Sequence, residues 1–160
     1  MTKLKDDCAA LKPTILLSVP RLYNKIVDAV RTKFAHEKGI KKWLVDKAIN
    51  SKLDNLEQKG EYKSGFYDAV VFSKVREGFG GKVRLMGSGS APLSPDVHEY
   101  MMALMSCPLV EAYGQTENCG GILYTSMKDK THGQFAEVSA CGEVKLCDIP
   151  EMKYTADDKD

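Results

Sequence analysis

The sequence predicts an α/β fold in which a parallel β-sheet carries peripheral helices. Three short apolar runs typical of buried strands, residues 14–19, 83–86 and 109–112, alternate with longer segments of helical periodicity. This β-α-β-α-β progression builds a parallel sheet. Loops of small residues, 87–92 and 113–117, follow the second and third runs. The carboxyl ends of neighbouring parallel strands are where such a sheet binds its ligand.

The first half of the chain predicts one strand and three helices. The strand at 14–19 runs into Pro20, which suits the first turn of a helix. That helix has one apolar stripe with residues spaced four apart: Leu22, Ile26, Val30 and Phe34. A looser pattern over 40–57 predicts a helix on the surface, and glycines at 39 and 60 bound it. A third helix is predicted over 64–77, with Tyr67, Val70, Val71 and Val75 facing inward.

The second half predicts a further helix between two strands. Ser94, Pro95 and Asp96 are the residues expected at a helix start, and the helix they begin lies between the strands at 83–86 and 109–112. Residues 122–125 and 143–146 are two additional strand candidates, and 127–139 is predicted to be a polar loop. His98 is predicted to lie on the polar face of its helix, in contact with solvent.

The composition excludes several classes of protein. The 160 residues suffice for one domain with a core, and 43% hydrophobic with 28% charged residues is ordinary for a globular chain. A net charge of +1 does not indicate the excess of positive charge that is typical of nucleic-acid-binding proteins. The sequence contains neither an apolar run long enough to span a membrane nor an apolar segment of secretory type at its start.

The cysteines indicate an intracellular protein. There are five, an odd number, without a C-x-x-C pair or a histidine at zinc-ligand spacing. Reduced thiols are typical of intracellular compartments. We therefore expect the protein in the cytoplasm or on the cytosolic face of a membrane or organelle.

The loop at 87–92 begins with the G-x-G of a dinucleotide-binding fingerprint but does not complete it. Pro92 occupies the position of the third glycine, and a proline there delays the following helix and prevents close packing of helix on strand. Binding of a nicotinamide dinucleotide is therefore disfavoured. Two interpretations remain: a tight structural turn, or a loop whose backbone lines a nucleotide or acyl pocket.

The loop at 113–117 combines four groups that suit a metal–phosphate ligand. Tyr113 offers a flat face to a base, and Gly114 allows a ligand to approach the backbone. Thr116 can donate a hydrogen bond to a phosphate oxygen, and the Glu117 carboxylate is a hard ligand suited to Mg²⁺. The alternative is an ordinary surface turn with a solvated glutamate.

The lysine-rich stretch over 38–47 has two interpretations. It is expected to be the solvated face of a surface helix. Contact with a membrane surface is the alternative, because Ile40 and Trp43 lie among the lysines.

Four collinear segments resemble long-chain fatty acyl-coenzyme A synthetases of the adenylate-forming, or AMP-binding, superfamily. The segments are PTILLSVPRLYNKI at 13–26, GSAPLSP at 89–95, YGQTE at 113–117, and CGEVKL at 141–146 followed by IPEMKY at 149–154. The third matches the Y-G-x-T-E motif of the superfamily. Together the segments span nearly the whole chain.

The resemblance implies a two-step ligase. ATP and a fatty acid give an acyl-adenylate and pyrophosphate, and the thiol of coenzyme A then displaces AMP. The family motif assigns adenine stacking to Tyr113, phosphate contact to Thr116 and Mg²⁺ binding to Glu117. It places Ser90, Ala91 and Pro92 beside adenine and the acyl carboxylate, and Gly114 near the reacting carboxylate.

The resemblance also implies that other parts of such an enzyme lie outside this sequence. The phosphate loop ending in lysine is expected before residue 1, and the T-G-D motif and the small C-terminal domain are expected after residue 160. Within the chain, Ala136 stands where a family G-x-V-G segment has its second glycine. We therefore expect residues 1–160 to be part of an AMP-binding N-terminal domain, and the isolated chain to be inactive.

Two other functions are compatible with the same residues. One is an adenylating ligase for a different carboxylate, such as an aryl acid or an amino acid. The other is a non-catalytic module that binds a nucleotide or an acyl group. The helices between residues 39 and 78 favour the fatty-acid branch.

Overall fold

A five-stranded sheet organises the chain in the computed structural model, which describes residues 2–126 and 137–155. The strands lie side by side in chain order, β1 to β5: Ile15–Ser18, Leu85–Gly89, Leu109–Gln115, Gly120–Tyr124 and Glu137–Val138. Strands β1, β2 and β3 are parallel, whereas β4 and β5 are antiparallel to their neighbours. The predicted α/β fold with a β-α-β-α-β core is confirmed.

Six α-helices accompany the sheet in the described part of the chain. They are α1 Thr2–Leu11, α2 Pro20–Ala35, α3 Ile40–Lys59, α4 Gly65–Tyr67, α5 Ser73–Glu77 and α6 Pro95–Met105. A π-helical segment, Asp68–Phe72, joins α4 to α5. Short 3₁₀ helices cover Thr116–Asn118 and Pro150–Met152. Among the described residues, no helix combines the length and the apolarity needed to cross a bilayer.

The helix boundaries follow the predicted signals. Pro20 and Pro95 each begin a helix. Gly60 ends α3 in the left-handed conformation with φ of 72°, where a side chain would be strained. Ser94 has the extended backbone of a capping residue, but its side chain makes no capping hydrogen bond.

The core lies between one face of the sheet and the helices. Alternate strand residues point to opposite faces, and those facing the helices are buried: Leu16, Met86, Ser88, Leu109 and Glu111. On the opposite face, Ile15 and Leu17 are 50% and 75% exposed. The Tyr23 hydroxyl, on α2, lies 3.0 Å from the Leu16 carbonyl oxygen and 2.9 Å from that of Gly87. This contact fixes α2 across β1 and β2.

Helix α3 is more than a surface helix, because one of its faces enters the core. Val45, Ala48 and Leu56 are buried, and so is Lys52, which is 1% exposed. The Lys52 ammonium donates to Asp68 Oδ1 at 2.5 Å and to Ser106 Oγ at 2.7 Å. Since Asp68 lies in the π-helical segment and Ser106 ends α6, this buried ion pair joins three helical elements.

Two predicted side-chain orientations are wrong. His98 is buried, and its Nε2 lies 2.9 Å from the Leu109 carbonyl oxygen. The hydrogen bond compensates for the burial of the imidazole. Val70 is 49% exposed, whereas its neighbour Val71 is buried. The π-helical turn at 68–72 rotates the helix, so a regular 3.6-residue period does not describe it.

The ends of the chain differ most from the prediction. Helix α1 was not predicted. Residues 143–146 do not form a strand, and Val144 and Leu146 are exposed, because no described strand lies beside them to complete a ladder. Strand β5 instead lies in the stretch predicted to be a loop. Residues 127–136 of that predicted loop lie outside the described residues.

Candidate functional site

The two predicted loops meet at the carboxyl ends of β2 and β3. These strands are neighbours, with Gly89 opposite Ala112. Ser90, Ala91 and Pro92 follow Gly89 and are all exposed, and Tyr113 follows Ala112 and is 43% exposed. Parallel pairing therefore brings two segments more than twenty residues apart to one edge of the sheet, as predicted.

The backbone at Ser90 is unusual for a residue with a side chain. Its φ of 74° places it in the left-handed region. Such conformations cost free energy and are concentrated at functional sites and sharp turns. Here the turn takes the chain from β2 directly into the exposed segment at 90–92.

Glu111 on β3 holds the loop at 90–92 through a hydrogen bond to the residue that follows it. This residue was not identified from the sequence. The side chain is 3% exposed, and its Oε2 accepts a hydrogen bond from the Leu93 amide at 3.1 Å. The Glu111 amide donates to Thr125 Oγ1 at 2.9 Å, which also ties β3 to the end of β4. The signal in the sequence is a carboxylate inside an apolar run, at a position that alternation assigns to the core.

Two neighbouring residues at this edge each carry a buried polar atom. Glu111 Oε1 and the hydroxyl of Ser88 have no hydrogen-bond partner among the described residues, and the two residues are opposite each other in the β2–β3 ladder. Buried polar groups are almost always paired. This pair is a local cost to stability directly beneath the candidate site.

Strand β3 extends further than predicted. It includes Tyr113, Gly114 and Gln115, so the turn begins only at Thr116. The Gln115 side-chain amide donates to the Tyr113 hydroxyl at 2.9 Å. Pairing of β3 with β4 continues the ladder beyond Ala112 and holds the tyrosine at the exposed end of the sheet.

Gly114 is required by the hairpin between β3 and β4. A Cβ atom at this position would lie 1.7 Å from the Gly120 carbonyl oxygen and 2.8 Å from the Gly121 Cα atom. The ladder also shifts register between Tyr113 and Gly114. The chain's own backbone therefore makes the close approach at this glycine.

Thr116 and Glu117 lie in the short 3₁₀ helix Thr116–Asn118 that closes β3. Asn118 Oδ1 accepts from the Gln115 backbone amide at 2.9 Å, and the Asn118 backbone amide donates to the Gln115 side chain, which completes a capping box that fixes this turn. Glu117 is exposed and forms no ion pair or hydrogen bond within the described residues. Its carboxylate is available to an external ligand.

Glu117 does not belong to a protein cluster of metal ligands. No group of three or more histidine, cysteine, aspartate or glutamate side chains among the described residues could hold a metal ion. A single carboxylate fits Mg²⁺, which retains waters and binds substrate phosphates in place of further protein ligands. The donor set is therefore compatible with a magnesium ion that arrives with a polyphosphate.

Comparison with known proteins agrees with this architecture. The family model for AMP-binding enzymes matches residues 1–160. The chain belongs to the AMP-binding enzyme family. Long chain acyl-CoA synthetase 7, peroxisomal, of Arabidopsis thaliana is 43% identical over 157 residues, which are 98% of this chain.

Further relatives come from mammals. Long-chain-fatty-acid–CoA ligase 5 of Mus musculus is 42% identical over 94% of this chain, and ligase 1 of Homo sapiens is 36% identical over 96%. In all three relatives the match covers 22% of the protein. The chain thus spans about a fifth of the length of these AMP-binding relatives.

Solved structures give the same fold. The A-PCP didomain of a carboxylic acid reductase from Segniliparus rugosus, in complex with AMP, matches 98% of this chain with a TM-score of 0.54 and 26% identity. The adenylation domain of a carboxylate reductase from Mycobacterium chelonae also matches 98%, with a TM-score of 0.54 and 28% identity. The match covers 18% and 20% of those chains. The sheet and its helices therefore have the fold of adenylation domains.

Proposed function

We propose that this chain is part of an ATP-dependent long-chain fatty acid–CoA ligase. Such an enzyme converts a fatty acid and ATP into an acyl-adenylate and pyrophosphate, and then transfers the acyl group to the thiol of coenzyme A with release of AMP. The observation that carries the proposal is the pairing of β2 and β3, which brings the 90–92 loop beside a motif that ends in an exposed carboxylate, unpaired within residues 2–126 and 137–155. Named ligases at 36–43% identity support the substrate class.

Each residue at the strand ends has a role in this proposal. Tyr113 stacks on adenine, for which its partly exposed ring at the sheet edge is suited. Ser90, Ala91 and Pro92 line the adenine and the acyl carboxylate, and Gly114 lies near the reacting carboxylate. Thr116 donates its hydroxyl proton to a phosphate oxygen. These groups position the carboxylate for attack on the α-phosphorus, and positioning supplies a large part of the rate.

Glu117 is the residue that we propose to hold Mg²⁺. When bound, the metal neutralises charge on the phosphates as the carboxylate attacks. This chain contributes a hard oxygen ligand, the Glu117 carboxylate. The capping box of Gln115 and Asn118 keeps the turn that carries it rigid. A preorganised ligand does not have to reorganise during the reaction, which favours the transition state.

The chain is proposed to be a partial AMP-binding domain of a longer parent protein. The exposed face of the sheet, with Ile15 and Leu17, supports this because such apolar strands are normally covered. The phosphate loop and the C-terminal domain of the ligase would come from the rest of the parent. We propose an intracellular location for it, in the cytoplasm or on the cytosolic face of a membrane or organelle.

Pyrophosphate exchange tests the function directly. The full-length parent, incubated with ATP, Mg²⁺ and labelled pyrophosphate, is expected to form labelled ATP only when a long-chain fatty acid is added. Adding coenzyme A should then yield the acyl thioester. Exchange that depends on an aryl acid or an amino acid, and not on the fatty acid, would establish the alternative ligase instead.

A non-catalytic binding module makes a different prediction. The 160-residue chain alone would bind nucleotide, and Glu117→Ala would leave that affinity unchanged. Equilibrium dialysis with ATP and Mg²⁺ measures this binding. Pyrophosphate exchange measures adenylation, in which the ligase proposal expects the isolated chain to be inactive.

A further inference from the structure

A cavity opens at the amino ends of β2 and β3, the edge of the sheet opposite the candidate functional site. It has a volume of about 340 Å³ and is bounded by the residues that precede these strands, by the end of α6 and by the segment before α4. That volume lies at the lower end of the range for small-molecule sites. Because a strand rises about 3.3 Å per residue, the length of β2 separates the cavity from the candidate site by roughly 15 Å.

Cations dominate the charge around this cavity. Lys63, Arg76 and Arg84 line it, and Asp68 is the one carboxylate among the described lining residues. Lys63 and Arg84 are exposed, and their side chains form no hydrogen bond or ion pair with a described residue. A cleft lined by one sign of charge concentrates the field of that charge. The cavity therefore offers two cations that are paired with no described group.

Asp68 does not cancel this charge, because other groups already compensate its carboxylate. Lys52 and Ser106 donate to Oδ1, and the Ser64 amide donates to Oδ2 at 2.9 Å. Arg76 lies 3.4 Å from Oδ1 and adds a second positive charge. With the two unpaired cations, four positive charges surround one carboxylate.

Arg76 retains donors for a ligand. One of its terminal nitrogens donates to Ser106 Oγ and the other to the Asp68 carbonyl oxygen, each at 2.8 Å. These two bonds use two of the five N–H groups of the guanidinium. The guanidinium also lies at the carboxyl end of α6, where a cation offsets the partial negative charge of the helix.

The cavity also has an apolar wall that suits an organic group. The side chains that form it are those of Tyr62, Val83, Met105 and Pro108. Cys107 lies among them and is buried. Burial raises the pKa of its thiol to about 11, and the nearby charges of Arg76 and Lys63 oppose that rise. Positive charge and apolar surface therefore meet inside one cavity.

We propose that this cavity binds the phosphate group of a small organic molecule. Lys63, Arg76 and Arg84 hold the phosphate, because guanidinium groups match the geometry of its oxygens and an ammonium adds a point charge. Tyr62 and Val83 contact the organic part of the molecule. The proposal goes beyond the ligase activity, since the cavity lies at the edge of the sheet that the proposed reaction does not use.

Isothermal titration calorimetry on the full-length parent tests the proposal. The parent is first saturated with α,β-methylene ATP and Mg²⁺, so that a phosphate compound does not enter the candidate nucleotide site. Phenyl phosphate is then expected to bind saturably and more tightly than inorganic phosphate. Phenol, which lacks the charge, should not bind, and added salt should weaken the binding of phenyl phosphate.

Paired variants assign this binding to the cavity. Lys63→Gln combined with Arg84→Gln removes two exposed cations and leaves the buried contacts of Asp68 intact. It should weaken the binding of phenyl phosphate by about tenfold. Lys25→Gln combined with Lys33→Gln is the matched control, because it removes two exposed charges from α2. Its affinity should equal that of the unmodified parent.

Four results would overturn the proposal. The first is the absence of saturable binding of phenyl phosphate. The second is an unchanged affinity in the variant of Lys63 and Arg84. The third is an equal loss in the variant of Lys25 and Lys33, which would make overall charge responsible. The fourth is equal affinity for inorganic phosphate, which would contradict the contact with an organic group.

The same titrations keep this proposal separate from the ligase proposal. A parent that fails to bind α,β-methylene ATP would count against the ligase proposal alone, because the paired variants still locate the bound phosphate. Loss of phenyl phosphate binding, in turn, has no consequence for pyrophosphate exchange. The two proposals therefore fail independently.

Discussion

Glu117 shows how much of the proposed chemistry depends on one side chain. Its carboxylate is exposed, unpaired within the described residues and held on a capped turn. In the full-length parent, Glu117→Ala should lower pyrophosphate exchange by about 10²-fold, the usual effect of losing one preorganised electrostatic group. Glu143→Ala, which removes another exposed carboxylate outside the motif, is the control and should exchange normally. Exchange at the unmodified rate in Glu117→Ala would remove the metal assignment.

Glu111 should act on the site through the loop that it anchors. Glu111→Ala removes the acceptor of the Leu93 amide and should cost about 1–3 kcal/mol in the free energy of unfolding. It should also raise the KM for ATP in the parent, since the 90–92 loop loses its support. Glu111→Gln keeps an acceptor oxygen and should restore most of both quantities.

Urea denaturation and exchange kinetics measure these two effects of the Glu111 variants separately. Equal losses in Glu111→Ala and Glu111→Gln would show that the hydrogen bond to Leu93 is not what matters. A loss of stability without a change in KM would limit Glu111 to a structural role.

The sequence indicated residues 113–117 as a candidate site because they are adjacent in the chain, and the structure places them at the exposed end of β3. Their roles stay predictions. Glu111, Lys52 and His98 were missed, since their partners Leu93, Asp68 and Leu109 are eleven to eighteen residues away. A single sequence does not reveal which polar residue will find a partner in the core.

The hairpin of β3 and β4 holds the residues at 113–117 in place. Gly114→Ala would place a methyl group 1.7 Å from the Gly120 carbonyl oxygen, so the two strands must separate. We expect a loss of about 2–4 kcal/mol in the free energy of unfolding, typical of a steric conflict that backbone must relieve. Gly65→Ala is the matched control, because its Cβ meets open space at a helix start. It should be neutral or slightly stabilising, and an equal loss in both variants would contradict this account of the hairpin.

The buried pair of Lys52 and Asp68 makes the packing of α3 sensitive to acid. Burial on its own raises the pKa of Asp68, but the hydrogen bonds from Lys52, the Ser64 amide and Ser106 outweigh it and lower that pKa below its ordinary value of 3.8. Burial lowers the pKa of Lys52, and the bond to Asp68 partly opposes this. Because the folded pKa of Asp68 is depressed, its contribution is complete above 3.8 and is lost as the pH falls through the lower, folded value.

Asp68→Asn should therefore cost about 3 kcal/mol in the free energy of unfolding at neutral pH, since it leaves the Lys52 ammonium buried without its counter-charge. The variant should lose less stability than the unmodified chain between neutral pH and about pH 3. Asp54→Asn, an exposed position on the same helix, is the control and should follow the unmodified chain. Identical acid dependence in Asp68→Asn and the unmodified chain, measured by urea unfolding, would contradict the role of the pair.

Elements were predictable from the sequence where periodicity and end signals agreed. Helices α2 and α6 begin at proline, and β1, β2 and β3 overlap the predicted apolar runs, although β2 extends through Gly89 into the predicted loop and β3 extends to Gln115. Residues 143–146 alternate like a strand but have no neighbouring strand among the described residues, and pairing depends on residues far away in the chain. The antiparallel direction of β4 follows from the short hairpin after Gln115, which is too short for a crossover to a parallel strand.

The whole molecule has helices on one face of its sheet and an exposed apolar face opposite. Leu17 and Ile15 on β1 are the clearest members of that face. Helices cover both faces in most parallel sheets, and the chain spans 22% of the AMP-binding relatives described above. We propose that the remainder of the parent covers this face and completes the site that the strand ends begin.

A crystal structure of the full-length parent with ATP and Mg²⁺ tests the central claim most directly. The account predicts adenine stacked on Tyr113, the 90–92 loop along the nucleotide, and a magnesium ion bound by Glu117 and phosphate oxygens. A nucleotide bound elsewhere, with the turn at Thr116–Asn118 facing bulk solvent, would contradict it.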